Sequence, residues 1–369
     1  MPRATFLKAI GVLAACAVLC VAARAPAEVQ RGASKEIQLT YKAGTIASKT
    51  FTPAKSKFGG KPFRINGAQG ALSLGGQSVL FGVRYAKALK AYYGALDTDG
   101  NGELEAKEFV KFSQTMSASY KIKLGEEDYA VRIANVRVYP STGGPTKSIY
   151  GGYVINACHT GTFDNIGVRL FDDNLDGTFT QDGEDAIAIG RGQFAIPLGK
   201  VHQIGDQHYE LEVAEDGKTI SFTPLSGLEL GIVEVSFKRG LRSLAFYDEG
   251  GNSYDLAISA KTGIPAGKYK LAYGVLTAGK FATVVQPTKK SPVYEIEAGK
   301  INTIRLGKPI RVSFSANYSN QTVTVSPSVE VFGAGGEKYT FDYSGGTGRP
   351  HVLLFEGKRV LSRSAMEYG

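Results

Sequence analysis

Asp97 to Glu108 form a twelve-residue segment in which oxygen-bearing side chains recur at alternate positions. A hard cation such as calcium takes about six to eight oxygen ligands, and a loop can supply them from positions 1, 3, 5, 7, 9 and 12, with glycine turning the chain at position 6. Those positions hold Asp97, Asp99, Asn101, Glu103 (through its carbonyl), Glu105 and Glu108, and Gly102 is at position 6. The segment therefore predicts a calcium site. An acidic turn without an ion is the alternative.

This segment resembles the calcium loop of the EF-hand family, and the resemblance covers residues 80 to 116. Apolar residues stand where the two helices of a hand need contacts, at Tyr93 and Leu96 before the loop and at Phe109 and Phe112 after it. The preceding segment is rich in alanine, leucine and lysine, which suit a helix. The resemblance implies a helix-loop-helix inserted into the chain.

A second acidic segment, from position 172 to 185, repeats the first half of the pattern. Its candidate ligands are Asp172, Asn174, Asp176 and Thr178, with Gly177 at position 6. Position 12 is a glycine, so a closing carboxylate would come from Asp182, Glu184 or Asp185. The flanks Ile166–Phe171 and Ala186–Ile189 alternate like strands. The segment predicts a strand-flanked calcium loop similar to those of extracellular β-proteins, and a solvated hairpin without metal is the alternative.

The first 27 residues have the features of an export signal. Arg3 and Lys8 precede an apolar run, and small residues up to Ala27 suit cleavage there. The run is too short to span a bilayer, and we expect no transmembrane segment elsewhere. The alternative is a lipoprotein attached through Cys16. We therefore expect a secreted, periplasmic or cell-surface protein.

The formal net charge of +9 is unevenly distributed. From Leu256 onward the sequence has 15 Lys and Arg against 7 Asp and Glu, a net charge of +8. A basic exported domain attracts acidic polymers over long distances, so an acidic polysaccharide or another cell-surface component is a candidate partner. Lysines that only keep a β-surface soluble are the alternative. The sequence contains no nucleic-acid-binding motif, so we expect no nucleic acid partner.

Strand patterns dominate the rest of the chain, for example at Tyr129–Tyr139 and in a candidate hairpin between Tyr209 and Thr223. The segment Gly263–Leu271 resembles the Pro-x-Gly-x-Tyr strand start of prealbumin-like and carboxypeptidase-regulatory-like β-sandwiches, which implies a fold and no activity. We predict a mainly β chain of multidomain antiparallel β-sandwiches with an inserted EF-hand. The expected divisions are a signal peptide at 1–27, a β-rich region at 28–255 and a basic β-sandwich domain at 256–369.

The sequence offers no set of catalytic residues. The four histidines are scattered, and His159 follows Cys158 directly. Adjacent residues of a strand point to opposite faces, so we expect a buried thiol beside a turn histidine instead of a catalytic pair. The sequence favours an exported calcium-binding structural or adhesive protein in which calcium stabilises the fold. The alternative is an exported hydrolase or glycan-processing enzyme whose site residues converge only in three dimensions.

Overall fold

The protein is mainly β, and the prediction of that class is confirmed. The structure, a computed structural model, describes residues 28–43, 61–114, 116–124, 127–140, 146–155, 157–181, 183–190, 194–236, 239–257, 262–278, 281–319, 322–325, 329–341 and 351–365. Strands account for 61% of the chain and form several antiparallel sheets. The described residues contain no helix that is both long and apolar enough to cross a membrane. Three main hydrophobic cores divide the strands into an N-terminal, a central and a C-terminal unit.

The N-terminal unit has two four-stranded antiparallel sheets. The strands of one, in spatial order, are Lys61–Asn66, Thr146–Ile155, Glu127–Pro140 and Ala118–Leu124. Those of the other are Gln69–Leu74, Gln77–Ala86, Ala91–Leu96 and Phe109–Lys111. Both sheets contribute side chains to the first core, including Phe81 and Ile133, which are fully buried. The first acidic loop joins two paired strands of the second sheet, so this core holds the loop at both ends.

The central unit has two five-stranded sheets around the second core. One contains Gln30–Arg31, Thr219–Ser226, Gln207–Val213 and Val201–Ile204, with Lys35–Gln38 also paired to Thr219–Ser226. The other contains Ile196–Pro197, Ala186–Ile189, Ile166–Phe171, Ala157–Phe163 and Thr40–Ala43. The hairpin expected between Tyr209 and Thr223 is confirmed. The second acidic loop joins Ile166–Phe171 to its partner Ala186–Ile189, as the alternation of their residues predicted.

The C-terminal unit contains a three-stranded and an eight-stranded sheet. The smaller sheet consists of Thr262–Pro265, Leu230–Val235 and Ile301–Ile304, the last two being parallel. The larger consists of Ser253–Asp255, Leu241–Asp248, Gly267–Ala278, Phe281–Gln286, Lys338–Phe341, Glu330–Phe332 and Arg311–Ser313, with Tyr294–Ile296 on Gly267–Ala278. Two hairpins complete the unit, Ala316–Ser319 with Thr322–Val325 and His351–Glu356 with Arg359–Ala365. Its core draws on residues from Val233 onward.

The predicted EF-hand helices are wrong. The described residues contain no α-helix, only the short 3-10 turns Lys87–Leu89 and Ala106–Glu108. The segment expected as the incoming helix forms the strands Gln77–Ala86 and Ala91–Leu96 instead. Val79, Phe81 and Val83 are buried at alternate positions, and this period of two prevails over the helical propensity of the alanines and lysines.

Glycine at position 94 also fits the strand and not the helix. A Cβ atom on Gly94 would lie 2.6 Å from ring carbon Cζ of Phe112 and 2.6 Å from the hydroxyl of Tyr120. The close approach of these two rings requires glycine here, whereas glycine within a helix would cost about 1 kcal/mol relative to alanine. Phe112 therefore packs over a strand and is not part of an outgoing helix.

A buried histidine of the central unit makes the stability of the fold depend on pH. His202 is 1% exposed, and its Nε2 accepts a hydrogen bond from the backbone N–H of Gly199 at 3.0 Å. Burial lowers the pKa of His202 from 6.5 to about 4. The unfolded chain therefore binds this proton more tightly, so the stabilisation from neutral His202 is present above pH 6.5 and is lost as the pH falls from 6.5 to 4.

We expect the substitution His202→Gln, which retains an acceptor for Gly199, to reduce the pH dependence of the free energy of unfolding between pH 6.5 and 4. The expected reduction is at most about 3 kcal/mol. Urea denaturation of both proteins at a series of pH values measures it. Parallel curves for the variant and the unsubstituted protein would show that His202 does not cause the acid sensitivity.

Candidate metal centres

Three carboxylates converge in the first acidic loop, residues 97–108. One ligand oxygen from each of Asp97, Asp99 and Glu108 lies within 4.8 Å of the others. Asp97 and Glu108 are 5% and 4% exposed, whereas Asp99 is exposed. The strand Ala91–Leu96 ends directly before the first of these residues, and the 3-10 turn Ala106–Glu108 carries the last. The sheet therefore brings positions 1 and 12 of the loop together.

Backbone amides hold the first carboxylate of this loop in place. Asp97 Oδ1 accepts hydrogen bonds from the N–H groups of Gly100 at 2.8 Å and Asn101 at 3.2 Å. Asp97 Oδ2 accepts one from Gly102 at 2.9 Å. These bonds come from positions 4, 5 and 6 of the loop, so the chain wraps around the carboxylate. Such charge-assisted bonds offset the cost of burying it.

Glu108 closes the loop through two further amides. Its Oε1 accepts the N–H of Thr98 at 2.5 Å, and its Oε2 accepts the N–H of Glu105 at 3.0 Å. These donors are at positions 2 and 9 of the loop. Both carboxylate oxygens are thus held by backbone amides of the loop.

The remaining predicted ligands lie at the outer side of the loop. Asn101 Oδ1 accepts the N–H of Glu103 at 2.8 Å, and Asn101 Nδ2 donates to Glu105 Oε1 at 3.3 Å. Lys107 Nζ lies 2.8 Å from Asp99 Oδ2 and 2.8 Å from Glu105 Oε2. The hydrogen bond from this ammonium holds the pKa of Asp99 below its usual value. Sequence reasoning missed Lys107, and a basic residue among the acids of the loop was the only signal.

The second acidic loop, residues 172–185, repeats the first hydrogen-bond pattern. Asp172 Oδ1 accepts the N–H of Asp176 at 3.1 Å, and Asp172 Oδ2 accepts that of Gly177 at 2.9 Å. These donors are at positions 5 and 6, which also bind Asp97 in the first loop. The two loops therefore have a common first half, although their flanking sequences differ.

Asp185 takes the closing place in the second loop. Its Oδ1 accepts the N–H of Asp173 at 3.1 Å, and its Oδ2 accepts that of Thr180 at 2.7 Å. These donors are at positions 2 and 9, which bind Glu108 in the first loop. Asp185 is 1% exposed, whereas Glu184 is exposed and Asp182 lies outside the described residues. The geometry thus selects Asp185, at position 14, as the residue equivalent to Glu108, with two extra residues accommodated before it.

The other candidate ligands of the second loop surround Asp176. Asn174 Oδ1 accepts the N–H of Asp176 at 3.0 Å, and Asn174 Nδ2 donates to Asp176 Oδ2 at 2.8 Å. Thr178 donates its N–H and its hydroxyl to Asp176 Oδ1, at 2.8 and 2.7 Å. Among the described residues, the only group of three or more carboxylate, imidazole or thiol ligands within 4.8 Å of one another is that of the first loop. The carboxylates of the second loop are therefore spaced more widely.

The electrostatics of the second loop favour a bound cation. Burial, with a smaller contribution from the negative charge of Asp172, raises the pKa of Asp185 to about 7. Burial likewise raises the pKa of Asp172 to about 6, with a contribution from Asp176. Each carboxylate thus resists ionisation because it is desolvated near others of the same sign, and a divalent cation placed among them would reverse that effect.

Cys158 and His159 lie beside the second loop, in a strand of the central unit. Cys158 is a buried thiol, as expected, at 3% exposure. His159 lies within the strand Ala157–Phe163, so its prediction as a turn histidine is wrong. It is 6% exposed, and its ring packs against those of Tyr41 and Phe179. Cys158 also packs in an apolar cluster with Phe171. Cys158 and His159 both line a cavity beside the second loop that Asp172 and Lys218 line as well.

Comparisons of this chain with protein-family models, curated proteins and solved structures found no match. The resemblance to the EF-hand family is therefore wrong on two grounds, because strands replace its helices and no family model matches. The resemblance of Gly263–Leu271 to prealbumin-like and carboxypeptidase-regulatory-like domains also finds no matching family model.

We expect Asp185→Asn to remove one equivalent of bound calcium, because an amide cannot supply the closing negative charge. Glu184→Gln is the matched control and should leave the stoichiometry unchanged, because Glu184 is exposed and Asp185 makes the closing hydrogen bonds. Isothermal titration calorimetry on chelator-treated protein measures both. Loss of the equivalent in the Glu184 variant, or its retention in the Asp185 variant, would refute this assignment.

Proposed function

We propose that this protein is an exported calcium-binding structural or adhesive protein, built from antiparallel β-sandwich units, whose loops 97–108 and 172–185 bind calcium. One observation carries the proposal. In both loops the first aspartate accepts amides from positions 5 and 6, and the closing acid accepts amides from positions 2 and 9. Two hairpins in different sheets thus have loops with the same arrangement of carboxylates and backbone amides.

The donor set suits calcium in its chemistry. Carboxylate, amide and carbonyl oxygens are hard ligands that prefer calcium or magnesium over softer metals. In the first loop the side chains of Asp97, Asp99, Asn101, Glu105 and Glu108 and the carbonyl of Glu103 would hold the ion. In the second loop Asp172, Asn174, Asp176, Asp185 and the carbonyl of Thr178 would do so. The wider spacing of its carboxylates should make the second site the weaker one.

Calcium would act as a stabiliser in this protein. Each loop joins two hydrogen-bonded strands, so an ion bound between its ends cross-links a sheet that is already formed. Ligands that bind only the folded state stabilise it in proportion to their occupancy. Extracellular calcium modules bind at roughly 10⁻⁴ to 10⁻³ M, where ambient calcium keeps such sites filled. An exported location, proposed from residues 1–27, would supply calcium at that level.

The C-terminal unit provides the surface proposed for an acidic partner. Its sequence from Leu256 onward has 15 basic against 7 acidic residues. Lys290 and Arg311 line one shallow cavity there, together with the glycine-rich turn Gly333–Gly336. This arrangement offers an acidic polysaccharide two positively charged side chains next to accessible backbone groups. It favours a protein that binds the polymer over an enzyme that cleaves it.

We expect calorimetry of chelator-treated protein to find two calcium sites, and 10 mM calcium to raise the melting temperature by several degrees. At roughly 10 to 100 times the dissociation constant, each filled site contributes about 1.5 to 3 kcal/mol. Magnesium at equal concentration should stabilise less, because it requires a tighter octahedral shell. The absence of calcium binding at millimolar concentration would refute the proposed function.

We expect the protein to bind polygalacturonate and not neutral dextran, because the attraction is electrostatic. The double substitution Lys290→Gln with Arg311→Gln should weaken binding severalfold, and raising the salt from 0.05 to 0.5 M should abolish it. Co-sedimentation with each polymer provides the measurement. Equal retention on both polymers, or binding insensitive to salt, would contradict an acidic partner.

A further inference from the structure

The second acidic loop belongs to the central unit but reaches into the N-terminal one. Phe171, directly before the loop, and Phe179, at position 8 of it, are buried in two hydrophobic clusters of the central unit. Leu175, at position 4 of the loop, is 2% exposed and belongs to the first core, together with Leu74 and Phe81. The second loop therefore packs against clusters of the central unit and, through Leu175, against the first core.

Backbone contacts reinforce this junction. The loop meets the turn between the strands Gln69–Leu74 and Gln77–Ala86 of the N-terminal unit. A Cβ atom on Gly76 in that turn would lie 2.7 Å from the carbonyl oxygen of Asp176, and a Cβ atom on Gly177 would lie 2.9 Å from the carbonyl carbon of Gly75. The two chains approach so closely that only glycine fits at these points.

The conformation of Leu175 shows that its side chain has a specific role. Leu175 has a φ of 60°, in the left-handed region, and the equivalent residue of the first loop is Gly100 with a φ of 71°. A leucine is disfavoured in this conformation unless its surroundings compensate for the strain. Burial of the Leu175 side chain in the first core compensates for this backbone strain. Position 4 therefore forms a contact between two units in the second loop, whereas in the first loop it is only part of a turn.

The closing acid is connected in turn to the C-terminal unit. The carbonyl of Asp185 accepts the N–H of Leu198 at 2.8 Å. The preceding residue, Pro197, accepts a hydrogen bond from the hydroxyl of Ser253 at 2.5 Å. The second loop thus contacts the N-terminal unit at its tip, and its closing residue is connected to the C-terminal unit through Leu198 and Pro197.

We propose that calcium bound by the second loop fastens the N-terminal unit to the central unit, with Leu175 transmitting the effect. This inference rests on the proposed function, because it requires calcium at residues 172–185. Binding fixes Asp172 and Asp185 relative to each other, which holds the tip of the loop in the conformation that inserts Leu175 into the first core. The first loop acts only within its own sheet.

Hydrogen exchange measured by mass spectrometry tests this inference in the full chain, with 10 mM calcium or with chelator. Glu108→Gln disables the first loop, so any protection by calcium must come from the second. In that variant calcium should slow exchange about 10-fold or more in the central strands Ile166–Phe171 and Ala186–Ile189. It should also slow exchange in Gln69–Leu74 and Gln77–Ala86 of the N-terminal unit.

Adding Leu175→Gly to that variant should keep calcium binding and the central protection, because glycine retains the amide and adopts the same φ. The protection of the N-terminal strands by calcium should disappear. Leu175→Met, which preserves burial, is the matched control and should retain it, and Leu175→Asn, which tolerates positive φ, replaces the glycine variant if that protein does not fold.

Calorimetry on the same samples separates the two ways in which the inference could fail. Loss of all calcium binding in Glu108→Gln would overturn both the second calcium site and the inference. Calcium binding that protects the central strands alone, or N-terminal protection that survives Leu175→Gly, would overturn the inference and leave the proposed function intact.

Discussion

The burial of two closing carboxylates is the constraint on which both acidic loops depend. Glu108 and Asp185 are 4% and 1% exposed, and a buried charge is costly unless hydrogen bonds or a counter-ion compensate for it. In each loop the amides at positions 2 and 9 supply the hydrogen bonds, which forces the chain to curl around the acid. The curled chain in turn determines where the two flanking strands leave the loop. The pairing of those strands and the hydrogen bonding of the carboxylate therefore require the same path of the chain.

The two loops meet this constraint with different electrostatics. The first has a cation of its own, since the ammonium of Lys107 lies between Asp99 and Glu105. In the second loop, burial and neighbouring acids raise the pKa of Asp172 and Asp185 toward neutrality. Calcium bound in the second loop would relieve the repulsion between carboxylates that are buried close to one another. The contribution of that ion to stability should consequently depend on pH, because these two carboxyl groups must lose their protons before they bind it.

Sequence spacing identified the oxygen positions of both loops because those positions are separated by fixed numbers of residues along one chain. It could not select Asp185, because two inserted residues shift the closing acid and only the three-dimensional path shows which carboxylate faces the loop. The strands around the second loop were predicted correctly from branched residues at alternate positions.

The error at the first loop has a different cause. The loop pattern carried an expectation of helices with it, and the local composition of alanine and lysine agreed with that expectation. The burial of Val79, Phe81 and Val83 on one face of a strand shows that the tertiary core decided the structure. The role of Leu175 was invisible for a similar reason, because a residue that contacts another unit leaves no periodic signal in its own segment.

The exchange of helices for strands changes what an ion can do in this protein. When a calcium loop joins two helices, binding can alter the angle between them and expose a new surface, which suits a sensor. Here ladder hydrogen bonds hold the flanking strands in a fixed register, with Tyr93 opposite Lys111 in the first hairpin and Phe171 opposite Ala186 in the second. Reorienting one strand would break those hydrogen bonds. The free energy of calcium binding would therefore stabilise the existing sheets instead of changing their orientation. This constraint favours a permanent structural role for calcium over a signalling one.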